Sequence, residues 1–142
     1  MKGIKELLLD ESPKNLKKLE KMLAKDPVSA SCFEAAKAEA RGAGAMEFPD
    51  LRALVTDSFL CYHDIGIGAG LTIFPISAIR NLYRTNIIGG EYDYSYFFLA
   101  VETTSSIRYL MRLSRFGNGI DKYKDVIAAV KGRMTVIGGA QA

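Results

Sequence analysis

Cys61 and His63 stand two residues apart, a spacing that puts both side chains on one face of a β-strand, and a thiol beside an imidazole is a pair that nucleophilic catalysis uses. His63 is the only histidine, and Asp64 follows it directly. Against this stands a plainer reading, a histidine at a strand end beside a core cysteine, which the apolar run Phe59 to His63 favours. One histidine and two cysteines, with Cys32 far off in the sequence, fall short of a zinc set, so neither a metal nor another cofactor is expected. Gly66-Ile67-Gly68-Ala69-Gly70 has the glycine spacing of a phosphate cradle, whose amides must open a helix; here the run leads into Leu71-Thr72-Ile73-Phe74, a strand pattern, and is read as a hairpin loop. No Lys or Arg lies between Ala53 and Ile79, so no anion site is expected there.

Two further groups concern binding rather than catalysis. Arg80 and Arg84 on one strand pattern, and Arg108 and Arg112 on another, each repeat at even spacing, so each pair is expected to share a strand face. If those faces lie side by side, four guanidiniums form a patch able to hold a phosphate or an acidic peptide. The simpler alternative is four outward, solvated side chains, with Glu102 as an ion-pair partner across the hairpin. The stretch Glu91 to Phe98 packs Tyr92, Tyr94 and Tyr96 behind Gly89-Gly90, and tyrosines on a rigid sheet give large contact area at low entropic cost. Tyr96 and Phe98 fall in strand alternation and belong to the core or a sheet face, which leaves Tyr92 and Tyr94 as the candidate contacts.

Composition narrows the function classes. The 142 residues are 49% hydrophobic, enough for one domain with a real core. Net charge is only +3, and all of that excess lies beyond residue 50, where arginine is the common cation. So small a charge disfavours nucleic acid as the partner. The two cysteines form no disulfide framework, which predicts a reduced, cytoplasmic protein. The opening Met-Lys-Gly-Ile-Lys-Glu does not read as a signal peptide, and no apolar run is long enough to span a membrane.

The elements that must position these residues change character near residue 45. Ile4, Leu7 and Leu8 form one helical stripe; after Ser12-Pro13, an N-cap with a first-turn proline, Leu16, Leu19, Met22 and Leu23 form a second, stopped at Asp26-Pro27. A third helix is predicted from Ser31, where Ser31-x-x-Glu34 has capping-box spacing, until Gly42. Gly42 to Ala45 reads as a linker, and beyond Pro49 the period falls to two. Strands are predicted over 51–56, 59–63, 71–74, 79–85, 96–102 and 107–114, with a glycine loop over 86–94. From Asp121 the helical period returns, with Tyr123, Val126, Ile127, Val130 and Met134 on one face and a frayed end from Gly138.

Leu54-Val55-Thr56-Asp57-Ser58-Phe59-Leu60 is similar to the hairpin that opens many pleckstrin-homology-like domains, and Ile73-Phe74-Pro75-Ile76-Ser77-Ala78-Ile79 is similar to their step into the next strand. Leu99 to Thr103, Ile107 to Leu113 and the helix from Tyr123 to Met134 resemble their closing hairpin and cap. The resemblance, which extends to bacterial and GRAM-type members, covers about residues 51–134. It implies an α+β fold, a small antiparallel β-barrel or sandwich capped by a C-terminal helix. The expected organisation is then a helical extension over 1–45 and the β-domain over 46–138. It also implies a binding domain rather than an enzyme. The expected function is a non-enzymatic interaction module that binds a protein segment or its own copies as a homo-oligomer, through a sheet edge or through Tyr92 and Tyr94. The alternative is a binder of an anionic small ligand or lipid headgroup through Arg80, Arg84, Arg108 and Arg112.

Overall fold

The computed structural model describes residues 3–65, 70–116 and 121–141, and their side chains as far as 137. The chain is α+β, with antiparallel sheets and a C-terminal helix, and it divides into two compact units, Met1–Ile76 and Ser77–Ala142.

In the first unit, one local device starts two helices. Helices α1 (Ile4–Leu9), α2 (Pro13–Leu23) and α3 (Pro27–Ala40) precede the strands. Ser12 Oγ accepts from the Asn15 amide ahead of Pro13, and Asp26 Oδ1 accepts from the Ser29 amide ahead of Pro27. Each pair supplies a cap together with a proline whose fixed φ and missing N–H suit a first turn. Asp26-Pro27 therefore opens α3 as well as following α2. Ser31 is no cap: it lies one turn inside the helix, where its hydroxyl donates to the Val28 carbonyl. Asn15, buried on α2, donates from Nδ2 to the carbonyls of Leu7 and Asp10 at 2.8 and 2.7 Å, satisfying acceptors at the end of α1.

Strands β1 (Met46–Phe48), β2 (Ala53–Val55), β3 (Phe59–Asp64) and β4 (Gly70–Pro75) follow as a four-stranded meander in chain order. Ile4, Leu7, Leu8, Leu19, Met22, Phe33 and Ala36 from the helices share one buried cluster with Leu54, Phe59, Cys61, Leu71 and Ile73 from the strands. The helices thus supply about half of this unit's core. The change of period near residue 45 falls inside this unit, and the division between units lies at Ile76 and Ser77. The alanine-rich face of α3 lets it pack closely against β4, where Ser29 Oγ accepts the Ile73 amide at 2.7 Å. Gly42 to Ala45 is a hydrogen-bonded turn, Gly42 N–H reaching Glu39 O, and a side chain on Gly44 would run into the Asp57 carboxylate. Glu39 Oε1 in turn accepts from Thr56 Oγ1 and from the Ser58 amide, both at 2.8 Å, fixing the β2–β3 turn.

The second unit contains β5 (Ile79–Thr85), β6 (Ile87–Ile88), β7 (Glu91–Tyr92), β8 (Tyr96–Thr103), β9 (Ile107–Ser114) and α4 (Lys122–Gln141). β5, β8 and β9 form an antiparallel sheet with β8 central, while β6 and β7 form a separate two-stranded hairpin. Its Gly89-Gly90 turn carries φ of 60° and 87°, the left-handed pair that tight hairpins need and glycine supplies. The expected glycine loop is therefore a hairpin. α4 buries Tyr123, Val126 and Val130 and continues to Gln141, past the end of the apolar stripe. These sheets are open, so the expected closed barrel is corrected to open antiparallel sheets. β1–β4 and β5–β8–β9 share no strand, because Pro75, at the end of β4, gives way to a turn at Ile76–Ala78 before β5 begins.

Candidate binding surface

Register decides where the arginines go. Pairing across the three-stranded sheet puts Leu82, Val101 and Arg108 on one face together with Arg84, Leu99 and Leu110. α4 lies on that face, since Arg84 shares a cleft with Tyr123, Lys124, Ile127 and Ala128. Arg84 and Arg108 sit on opposite sides of β8 and two positions out of line, roughly 12 Å apart at the backbone.

Arg112 breaks the expected pairing with Arg108. Leu99 pairs with Leu110 but Phe97 pairs with Leu113, so Met111 and Arg112 together oppose Phe98. This bulge, with Met111 at φ 56°, resets the alternation and turns Arg112 to the other face, where its guanidinium lies 4.4 Å from the Tyr96 ring centroid. Arg80 is the extra residue of a second irregularity, between Ile79 and Asn81. The four arginines are therefore not brought together.

What the structure does assemble is an aromatic surface at the β6–β7 hairpin. Ile87 pairs with Tyr92, and the Tyr92 and Tyr94 rings stack at 6.3 Å with an interplanar angle of 26°. They are 62% and 73% exposed. The hairpin is held at its base by reciprocal bonds between Asn86 and Asp93, and Asp93 Oδ1 accepts the amides of Ser95 and Tyr96. Arg115 is bonded to the same stretch twice: its amide donates to Ser95 O, and its Nη1 to Tyr94 O at 3.4 Å. Its guanidinium also lies 5.7 Å from the ring of Phe116, which is 84% exposed. Sequence reasoning missed Arg115 and Phe116, which follow β9 directly; an Arg-Phe step before a glycine is an everyday loop sequence, and only pairing of Tyr96 with Ser114 brings it to the tyrosines. Arg84, Arg112 and Arg115 each sit over an aromatic ring and have no carboxylate partner among the described residues. A guanidinium held by its face against a ring keeps its N–H edges available for an anion.

Cys61 and His63 are placed on β3, in the first unit. Cys61 is fully buried in the core cluster, and burial, with smaller contributions from Cys32 and Glu39, pushes its thiol up to about 12. At neutral pH the sulfur keeps its proton and is a poor nucleophile. His63 is buried two residues on, near the C-terminal end of β3, where Arg52 Nε donates to its carbonyl at 3.2 Å. Among the described residues no three His, Cys, Asp or Glu side chains could hold a metal ion. No helix among them is long and apolar enough to cross a membrane. The glycine run Gly66 to Ala69 lies outside the described residues.

No family model matches this chain, and neither the curated proteins nor the solved structures contain one similar to it.

Proposed function

We propose that this chain is a non-enzymatic interaction module that takes an extended, acidic segment of a partner protein on the β6–β7 hairpin. The observation that carries this reading is the stacked pair Tyr92 and Tyr94, exposed on a hairpin whose turn and base are both fixed. Exposed aromatics normally cost solubility, and two held rigidly in one stack offer contact area with little ordering cost on binding. Charge complementarity selects the occupant: Arg115, bonded to the hairpin through Tyr94 O, and Arg112, over the Tyr96 ring, have no carboxylate partner among the described residues, while the nearby Asp93 carboxylate is spent on backbone amides.

The succession of two strand groups and a C-terminal helix supports the pleckstrin-homology-like reading of residues 51–134, within open sheets. The suppressed thiol of Cys61 supports a binding role over nucleophilic catalysis. A patch of all four predicted arginines carries no reading of its own, because Arg108 and Arg112 occupy opposite faces.

Selection from a random displayed peptide library on the full chain tests the proposal, with Tyr92→Ser/Tyr94→Ser as the counter-selection. Acidic peptides with interspersed apolar residues should be enriched on the native chain and lost on the double variant. Equal enrichment on both, or concentration-dependent self-association lost in the double variant without any peptide signal, would overturn it.

A further inference from the structure

The cleft between β5 and α4 lies on the sheet face opposite Arg112 and Tyr96, and neither the hairpin surface nor the expected arginine patch accounts for it. Its volume is about 420 Å³, within the range of small-molecule sites. Two cations line it, Arg84 and Lys124, and neither has a carboxylate partner among the described residues. Arg84 is oriented from below by Phe97, whose ring centroid lies 5.1 Å from the guanidinium carbon. Both residues sit on one sheet face, as the shared alternation of Phe97 with Leu99 and the pairing of Leu99 with Arg84 require. A stacked guanidinium has lost much of its rotamer freedom already, so an anion that meets its edge orders less on binding. The rest of the wall is largely apolar. Ile127 and Ala128 line it from the next turn of α4, and Tyr123 contributes its ring, its hydroxyl being bonded to the carbonyls of Phe97 and Met111. Asp121 is the one acid among the described residues that line it, and it stands at the start of the α4 side.

We propose that this cleft binds a small amphiphilic anion, with a phosphate or carboxylate head between Arg84 and Lys124 and a short apolar body against Ile127 and Ala128. The two halves of the wall make separate demands. A bare anion satisfies the cations and leaves Ile127 and Ala128 wet, whereas a neutral apolar molecule leaves the cations unanswered. Asp121 opposes the head and limits affinity for the most highly charged ligands. Such a head occurs both on free metabolites and on lipids, and the two sources share this chemistry.

Calorimetric titration of the full chain with inorganic phosphate, hexyl phosphate and hexanoate is the test, accompanied by co-sedimentation with phosphatidylcholine vesicles with and without phosphatidic acid. Hexyl phosphate should bind about tenfold tighter than inorganic phosphate, from partial burial of the alkyl chain. Arg84→Ala and Lys124→Ala should each weaken it about tenfold, and Asp121→Asn should strengthen it a few-fold. All three positions are exposed, so these variants keep the core intact. Arg84-dependent binding of phosphatidic acid vesicles would identify a lipid as the source, and binding of hexyl phosphate without vesicle binding a free anion. The site is overturned if the two phosphates bind equally, if neither binds saturably, or if Arg84→Ala and Lys124→Ala leave binding unchanged. Tyr92→Ser/Tyr94→Ser should not alter hexyl phosphate binding, so failure of the hairpin proposal and failure of this one are distinguishable.

Discussion

His63 is buried near the end of β3, and its imidazole is held below the ordinary value of 6.5, chiefly because burial penalises the charged form and then because Lys18 and Arg52 repel it, with Asp64 pulling weakly the other way. The folded chain therefore keeps this ring neutral where the unfolded chain would protonate it. The stability from this group is complete above the unfolded value and is lost as pH falls through the lower folded value. Urea unfolding between about pH 7.5 and pH 5 should show the midpoint falling with acid in the native chain and falling less in His63→Gln. A variant that tracks the native acid dependence would show that other groups set it. Cys61 and His63 were legible in the sequence as neighbours on one strand, but their chemistry was not. Whether a thiol near an imidazole is a nucleophile or core filling depends on what covers the strand, and here Phe33 and Ala36 of α3 belong to the same buried cluster as Cys61.

At the scale of elements, the bulge at Met111 and Arg112 is the feature that most changes what the molecule can bind. A residue with φ near 56° is ordinarily glycine, which flags such a bulge in a sequence; Met111 holds it with a buried side chain, so no flag is present. α4 secures the bulge from outside the sheet, since Tyr123 Oη donates to Met111 O and Phe97 O, the two carbonyls that bracket it. Tyr123→Phe should cost about 1–3 kcal/mol in chemical denaturation, the usual cost of stranding a buried acceptor, and should raise amide exchange between Met111 and Leu113. Unchanged exchange there would mean the bulge holds without its anchor. The limits of β3, β4, β5, β8 and β9, to within a residue, and the α4 stripe were readable because alternation and the 3.6 period are local properties, whereas the strand expected over 51–56 shrinks to Ala53–Val55 behind a 3-10 turn at Pro49–Leu51. The start of α3 was misread because two cap signals competed, and Asp26-Pro27, which opens an earlier turn, won over Ser31.

For the whole molecule, the decisive fact is that residues 4–40 build a core together with β2, β3 and β4. Removing residues 1–45 would uncover Leu54, Phe59, Leu71 and Ile73, each contributing about 1.5–3 kcal/mol by burial, against a total stability of about 5–15 kcal/mol for a typical domain. The truncated chain should lose the cooperative unfolding and dispersed amide spectrum of its β2–β4 region and aggregate; a monomeric truncation with that spectrum intact would show that the strands fold unaided. Sequence by itself determined the α+β class, the position of most strands, the helix stripes apart from Leu16, which is exposed while Asn15 is buried, and the identity of the exposed tyrosines, because each follows from periodicity, turn chemistry or composition over a few residues. Only tertiary structure decided that the sheets stay open, that residues 4–40 share a core with β2–β4, that Arg112 turns away from Arg108, and that Arg115 joins Tyr94. Those outcomes rest on strand register and on which apolar faces find each other, contacts between residues distant in the chain that no local pattern encodes.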